Sequence, residues 1–339
     1  MGNLVESKFD VAIRAVCEKF YQHLINLPLD VKKQVQEIRF RINKPVTVCC
    51  INGIYFLNEN GRLDCRPDIN SMIVTKNDMD TCFRNICNFS IYSHQNEIKN
   101  GYVTLSGGHR VGICGTAVFQ NDKISSIRDI SSINIRISRE IEGAANEIFK
   151  LLKKDIKSGL LLVGSPASGK TTMLRDIARQ ISSGTLGDIK KVAVVDERGE
   201  LAGTCLGVPQ NDLGYCTDVL DGYPKAEGIM QAVRSLSPDY VICDELGGYD
   251  EVYAVEQCLN AGVSMISTIH AGSVNELLMK KQAVSLLKTG AFGFVALLNG
   301  HAQPGKLMGI FKAGDLLAKI RGDSDSDCRR DTCGIYGVA

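Results

Sequence analysis

The densest chemistry in the chain lies in thirteen consecutive residues, Leu160-Leu-Leu-Val-Gly164-Ser165-Pro166-Ala167-Ser168-Gly169-Lys170-Thr171-Thr172. Gly164, Gly169, Lys170 and Thr171 match G-x-x-x-x-G-K-[ST]. Backbone N–H groups of such a loop, and of the helix that follows it, point at phosphate oxygens. Lys170 supplies a point charge to the β- and γ-phosphates, and the Thr171 hydroxyl is a ligand for Mg²⁺. Glycine at 164 and 169 lets the backbone approach without a Cβ. A nucleoside triphosphate is the ligand this pattern predicts.

Three further acidic or polar groups share one setting, the end of an apolar run. Val241-Ile-Cys-Asp244-Glu245 places two acids after a hydrophobic strand. Asp244 is the candidate to hold Mg²⁺ through water, and Glu245 the candidate to polarise the attacking water. Asp196-Glu197-Arg-Gly-Glu200 ends Lys191-Val-Ala-Val-Val, so Asp196, Glu197 and Glu200 are expected at the same crevice. Thr268-Ile-His270 ends a fourth run, where His270 is placed to sense the γ-phosphate or touch the catalytic water.

The elements that position these groups alternate. Strands are predicted over 160–163, 191–196, 238–243, 263–269, 294–298 and 307–311. Helices are predicted over 173–181, 226–236, 251–260 and 283–287. Alternation predicts a mostly parallel sheet with helices on both faces, all strand ends facing one edge. Residues 203–224 are Gly-rich and read as an exposed loop. Before this core, residues 8–25 carry apolar side chains at helical spacing, 75–92 reads as a second helix, and strands are predicted over 35–40, 46–51, 54–57, 101–115 and 131–137. The expected organisation is a smaller α+β domain over 1–138, an ATPase core over 139–320 and a loose polar tail over 321–339.

Composition narrows the class. The 339 residues carry 39 Lys+Arg against 38 Asp+Glu, with no Trp, ten Tyr and eleven Phe. That balance argues against a general nucleic-acid binder, although a nucleic-acid motor on the same core remains an alternative, as does a nucleotide-gated scaffold with little turnover. Thirteen cysteines without a C-x-x-C pair read as free thiols of a reducing compartment rather than a zinc site or disulfide framework. No apolar run approaches the ~20 residues of a membrane span, and the first residues carry no signal-peptide core. A cytoplasmic protein that reaches a membrane through partners is expected.

Taken together, the boxes resemble the secretion ATPases of type II and type IV pilus systems. Gly164–Thr172 is similar to their Walker A box, Asp196–Glu200 to the Asp box, Ser237–Glu245 to Walker B, and Ala261–Ala271 to the His box. The sporulation branch, the stage III AA family, is the closer resemblance. It is carried by Glu37-Ile-Arg39-Phe-Arg41-Ile-Asn-Lys-Pro-Val46, by Gly101-Tyr-Val-Thr104 with Gly107-Gly-His-Arg110-Val-Gly112, and by Ser131-Ser-Ile-Asn-Ile-Arg136-Ile137. The resemblance spans residues 8–315. It implies a RecA-like P-loop NTPase core, ATP and Mg²⁺ as ligands, and a homo-oligomeric ring, with six subunits the expected number. It also implies docking on integral membrane proteins of a secretion-like complex between mother cell and forespore. It implies that Arg110 and Arg136 reach bound nucleotide, with Arg39 and Arg41 weaker candidates. The chain departs from the pilus relatives after Glu245, where Leu-Gly-Gly-Tyr-Asp250 replaces their Ile-Arg-Asp. It also lacks the zinc-binding cysteine quartet of some secretion ATPases.

Overall fold

The computed structural model describes residues 7–185, 187–300 and 303–321. The chain divides into two compact units, residues 1–139 with 203–210, and residues 140–202 with 211–339. The expected tail beyond residue 321 lies outside the described residues.

In the first unit, seven strands form one antiparallel sheet: β1 (Val35–Arg41), β2 (Thr47–Cys50), β3 (Gly53–Leu57), β4 (Leu63–Asp64), β5 (Tyr102–Leu105), β6 (His109–Gln120) and β7 (Lys123–Arg136). Their order is β4-β3-β2-β1-β7-β6-β5. Register makes its two faces chemically opposite, because residues directly across a ladder share a face. Ile38 pairs with Ile135, Ile135 with Val111, and Val111 with Val103. These side chains are buried beneath helices α1 (Lys8–Ile13), α2 (Glu18–Leu24), α4 (Lys76–Ile86) and α5 (Gln95–Lys99). A short α3 (Leu29–Lys32) leads into β1. Phe20 of α2 meets Phe40 of β1 at 5.2 Å between ring centroids, and each ring fully buried contributes about 1.5–3 kcal/mol. The other face carries Glu37, Arg136 and Arg110 in one row.

Two sequence expectations change here. The single helix over 8–25 is two helices, each with its own N-cap, because the chain turns through Arg14–Val16 without a Gly or Pro to mark it. The helix expected over 75–92 stops at Ile86; a 3₁₀ turn follows over Ile91–His94, then α5. Strands β6 and β7 also run further than expected, to a tight turn at Asn121-Asp122 with φ of 51° and 58°.

In the second unit, β8 (Leu160–Gly164), β9 (Val192–Asp196), β10 (Thr217–Asp221), β11 (Tyr240–Cys243), β12 (Ser264–His270), β13 (Phe294–Leu298) and β14 (Leu307–Lys312) form the second sheet. Their order is β10-β9-β11-β12-β8-β13-β14, and every ladder is parallel except β13 with β14. Both faces are covered, which is why β8, β9, β11 and β13 read as unbroken apolar runs. Leu160, Leu162, Val194 and Ile242 pack with α6 (Asn146–Leu152) and α7 (Lys170–Ser182). Leu161, Val163, Val195 and Val241 pack with α8 (Lys225–Ser235), α9 (Tyr249–Asn260) and α11 (Lys281–Lys288). Helices α10 (Val274–Met279) and α12 (Ala313–Arg321) complete this face. The loop expected over 203–224 contains β10. As an edge strand it pairs only with β9, and both its aspartates are exposed.

Candidate nucleotide site

Parallel strands put four chain segments on one edge. His270 of β12 lies across from Gly164 of β8, and β11 delivers Asp244 and Glu245 on the other side of β12. The loop after β8 bends through Ala167 at φ 58° and reaches α7 through Gly169 at φ 92°. A Cβ on Gly164 would stand 2.4 Å from Ser168 Oγ, and one on Gly169 would stand 2.8 Å from Gly305 N. Gly305 N also donates to Ser168 O at 2.7 Å. The loop is therefore held from the β13–β14 side as well as from its own helix. Ser168 Oγ is buried with no hydrogen-bond partner among the described residues.

Lys170 is buried and folds back over the loop. Its Nζ donates to Gly164 O and Ser165 O, both at 2.9 Å, and lies 3.0 Å from His270 Nδ1. Burial lowers the pKa of this ammonium below its ordinary value, opposed by Asp244 and Glu245. An ammonium only donates, so His270 Nδ1 is the acceptor and Nε2 carries the proton offered to Glu245 Oε1 at 3.1 Å. Lysine, histidine and glutamate thus form one chain. A second chain runs beside it. Thr171 Oγ1 donates to Asp244 Oδ2 at 3.2 Å, Thr268 Oγ1 donates to Asp244 Oδ1 at 2.7 Å, and Glu245 N donates to Thr268 Oγ1 at 2.9 Å.

The donors suit the ligands the motif predicts. One hydroxyl and one carboxylate form a sparse oxygen set of the kind Mg²⁺ uses when phosphates and waters fill its other positions. The lysine, the orphaned Ser168 hydroxyl and the two glycines that admit no Cβ shape an anion cradle.

Asp196 stands apart in kind. It is 2% exposed, and its carboxylate accepts from Glu200 N at 2.8 Å, Leu201 N at 3.1 Å and Ala202 N at 2.7 Å. Burial raises its pKa above the usual carboxylate range, against those three bonds. Its oxygens hold the turn that presents Glu197 and Glu200. Arg175 of α7 donates from Nε to Glu200 O at 3.1 Å, tying that turn to the phosphate-loop helix. On the same helix, Asp176 accepts from Gly143 N and Ala145 N, so the entry to the second unit is fastened to α7.

A sequence model of the family described as "Sporulation stage III, protein AA" matches residues 10–316. The chain belongs to this family. It is 35% identical over 307 residues to the stage III sporulation protein AA of Bacillus subtilis (strain 168), covering 90% of this chain and 96% of that protein. Among solved structures, the ATPase DotB of Yersinia pseudotuberculosis aligns with a TM-score of 0.54, at 13% identity, over 91% of this chain and 84% of that one. The Legionella pneumophila ATPase DotB gives 0.51 at 13% identity, over 86% and 80%. At that identity the likeness shows the fold, a RecA-like P-loop core preceded by a second α/β unit.

In this stage III AA chain, Arg110 and Arg136 belong to the first unit. They face each other across β6 and β7. Arg110 stacks on Tyr102 at 3.9 Å from the ring centroid, and Arg136 Nε lies 3.7 Å from Glu37 Oε1. Arg39 binds Glu37 Oε2 through Nε at 2.8 Å and Nη2 at 2.6 Å. Arg41 reaches Thr47 Oγ1 at 3.4 Å. The alternation of Arg39 and Arg41 was the readable signal for this basic face. Two groups gave no signal: Gly305, which buttresses the phosphate loop, and Lys225, whose Nζ lies 2.6 Å from Glu245 O.

Proposed function

We propose that the chain is a Mg²⁺-dependent ATPase that works as a homo-oligomeric ring, with six subunits expected, and drives a sporulation-linked membrane complex between mother cell and forespore. The single observation that carries this reading is the Lys170–His270–Glu245 chain beside the Thr171–Asp244–Thr268 chain. ATP phosphates displace Lys170 from the loop carbonyls and take its charge, with Ser165 to Thr172 supplying loop donors. Thr171 and, through water, Asp244 would hold Mg²⁺, which would neutralise charge on the transferring phosphate. Glu245 polarises the attacking water, and His270 reports the γ-phosphate by exchanging its Lys170 contact. Asp196 supports Glu197 and Glu200 rather than touching substrate. Arg110 and Arg136 act on the nucleotide of a neighbouring subunit. Family membership supports the sporulation setting. No helix among the described residues is long and apolar enough to cross a membrane, which fits a cytoplasmic motor docked on integral membrane partners.

Phosphate release with ATP and Mg²⁺, read across protein concentration and with or without DNA, tests this. Lys170→Ala should lose nucleotide binding or turnover. Glu245→Gln should keep binding and lose about 10²–10⁴-fold in kcat, the usual weight of a general base. Full turnover in Glu245→Gln would move the role to Glu197. DNA-stimulated turnover would favour a nucleic-acid motor, and no turnover at any concentration a nucleotide-gated scaffold.

A further inference from the structure

Lys225 opens α8 just after Pro224 and is 9% exposed. A buried ammonium is costly unless its protons are taken up, so what it holds explains its place. Nζ donates to Glu245 O at 2.6 Å and lies 3.7 Å from Glu197 Oε2.

The residue it holds is strained. Glu245 has φ of 40°, a left-handed backbone that is unfavourable for a side-chain-bearing residue and persists only where the surroundings impose it. Three hydrogen bonds do so. Glu245 N donates to Thr268 Oγ1 at 2.9 Å, Leu246 N donates to Thr268 O at 3.0 Å, and Lys225 donates to the carbonyl between them. The first two come from β12. The third comes from α8, and it is charge-assisted, the stronger kind. With the backbone so held, Glu245 Oε1 stands within reach of His270 Nε2.

We infer that Lys225 is the positioning residue of the water-polarising carboxylate, fixing the Glu245–Leu246 peptide in its left-handed turn. The inference rests on the reading of Glu245 given above. Lys225 touches no reacting atom in this scheme; it acts through Glu245. It also joins Glu197 to that peptide, so the two acidic boxes share one cation.

The test uses the full chain with ATP and Mg²⁺, comparing wild type, Lys225→Met, Lys225→Arg and Glu245→Gln. Turnover is read together with nucleotide bound per chain and with melting temperature. Displacing a reacting group by about 1 Å can cost 10²-fold. Lys225→Met should therefore lower kcat by roughly 10- to 100-fold, with KM and bound nucleotide per chain within about twofold of wild type. Lys225→Arg, which keeps a cationic donor, should recover most of the loss. Unchanged kcat in Lys225→Met, beside a dead Glu245→Gln, overturns the inference alone. A kcat that falls only in step with bound nucleotide overturns it too, since that marks a structural lysine. Wild-type turnover in Glu245→Gln instead sinks the reading of Glu245 itself. Where Lys225→Met does not fold, Lys225→Gln takes its place, and failure of both to fold also counts against the inference.

Discussion

At Gly169 the backbone turns left-handed just where the phosphate loop becomes a helix, and a Cβ there would come within 2.8 Å of Gly305 N. Both facts make the position intolerant of a methyl group. Gly169→Ala should destabilise the second unit by about 1–3 kcal/mol and weaken ATP binding at least tenfold, read as a lower melting temperature and a smaller upward shift on adding ATP. The need for glycine there was legible in the sequence, because residue type and spacing alone define the phosphate loop. Asp244, Glu245 and His270 were legible for a similar reason: each follows an apolar run, and parallel strands bring such ends together. The contacts made by Lys225 and Gly305 were not legible. Each joins the site from outside its motifs, and a lone lysine near the start of a helix looks like a surface residue. Asp196 was readable as a site acid but not as a carboxylate spent on three backbone N–H groups.

Among the elements, β6 contributes the least exposed histidine of the described residues. His109 is fully buried, its Nδ1 accepts from Ser138 N at 3.0 Å just beyond β7, and burial, aided by Lys8, holds its pKa down to about 4. The unfolded chain binds that proton near pH 6.5. Stability from the neutral imidazole is thus fully present above about pH 6.5 and is lost as pH falls toward 4, by about 3 kcal/mol in all. Melting of wild type should fall across that window. His109→Asn, which keeps an acceptor for Ser138 N, should melt lower at pH 7.5 but lose less on acidification. Element legibility followed burial. Strands covered on both faces were found by their apolar runs. The ends of β6 and β7 and the edge strand β10 were missed because exposed residues there carry no period. The break between α1 and α2 was missed because Val16 and Cys17 are buried and keep the apolar spacing going through the turn.

For the molecule as a whole, net charge near zero conceals an asymmetry. Residues 1–139 contain 18 Lys+Arg and 13 Asp+Glu, net +5, whereas residues 140–339 contain 21 and 25, net −4. A head-to-tail ring that sets the first unit of one copy against the second unit of the next brings opposite charges together. If the proposed ring forms this way, raising NaCl from about 0.05 to 0.5 M, where the screening length shrinks severalfold, should shift sedimenting species toward monomer, and concentration-dependent turnover should fall with it. An oligomer indifferent to salt would argue for an apolar interface instead. A change from paired strands to alternating strands and helices was visible in the sequence. The excursion of residues 203–210 into the first unit was not, since eight residues of Gly, Thr, Cys, Leu, Val, Pro and Gln look like any loop.

That excursion bears on how the molecule can be taken apart. The chain leaves the second unit after Ala202 and rejoins it at Asn211, whose N–H donates back to Ala202 O at 3.0 Å. Between them, Gln210 accepts from Gly107 N through Oε1 at 2.7 Å and from Lys8 Nζ through its carbonyl at 3.4 Å. No single cut separates the two units. A fragment beginning at residue 140 carries a piece of its neighbour's structure, and a fragment ending at 139 lacks one. An expressed N-terminal piece would leave the Gly107 turn short of its acceptor, so defects in such truncations report missing structure before they report missing function.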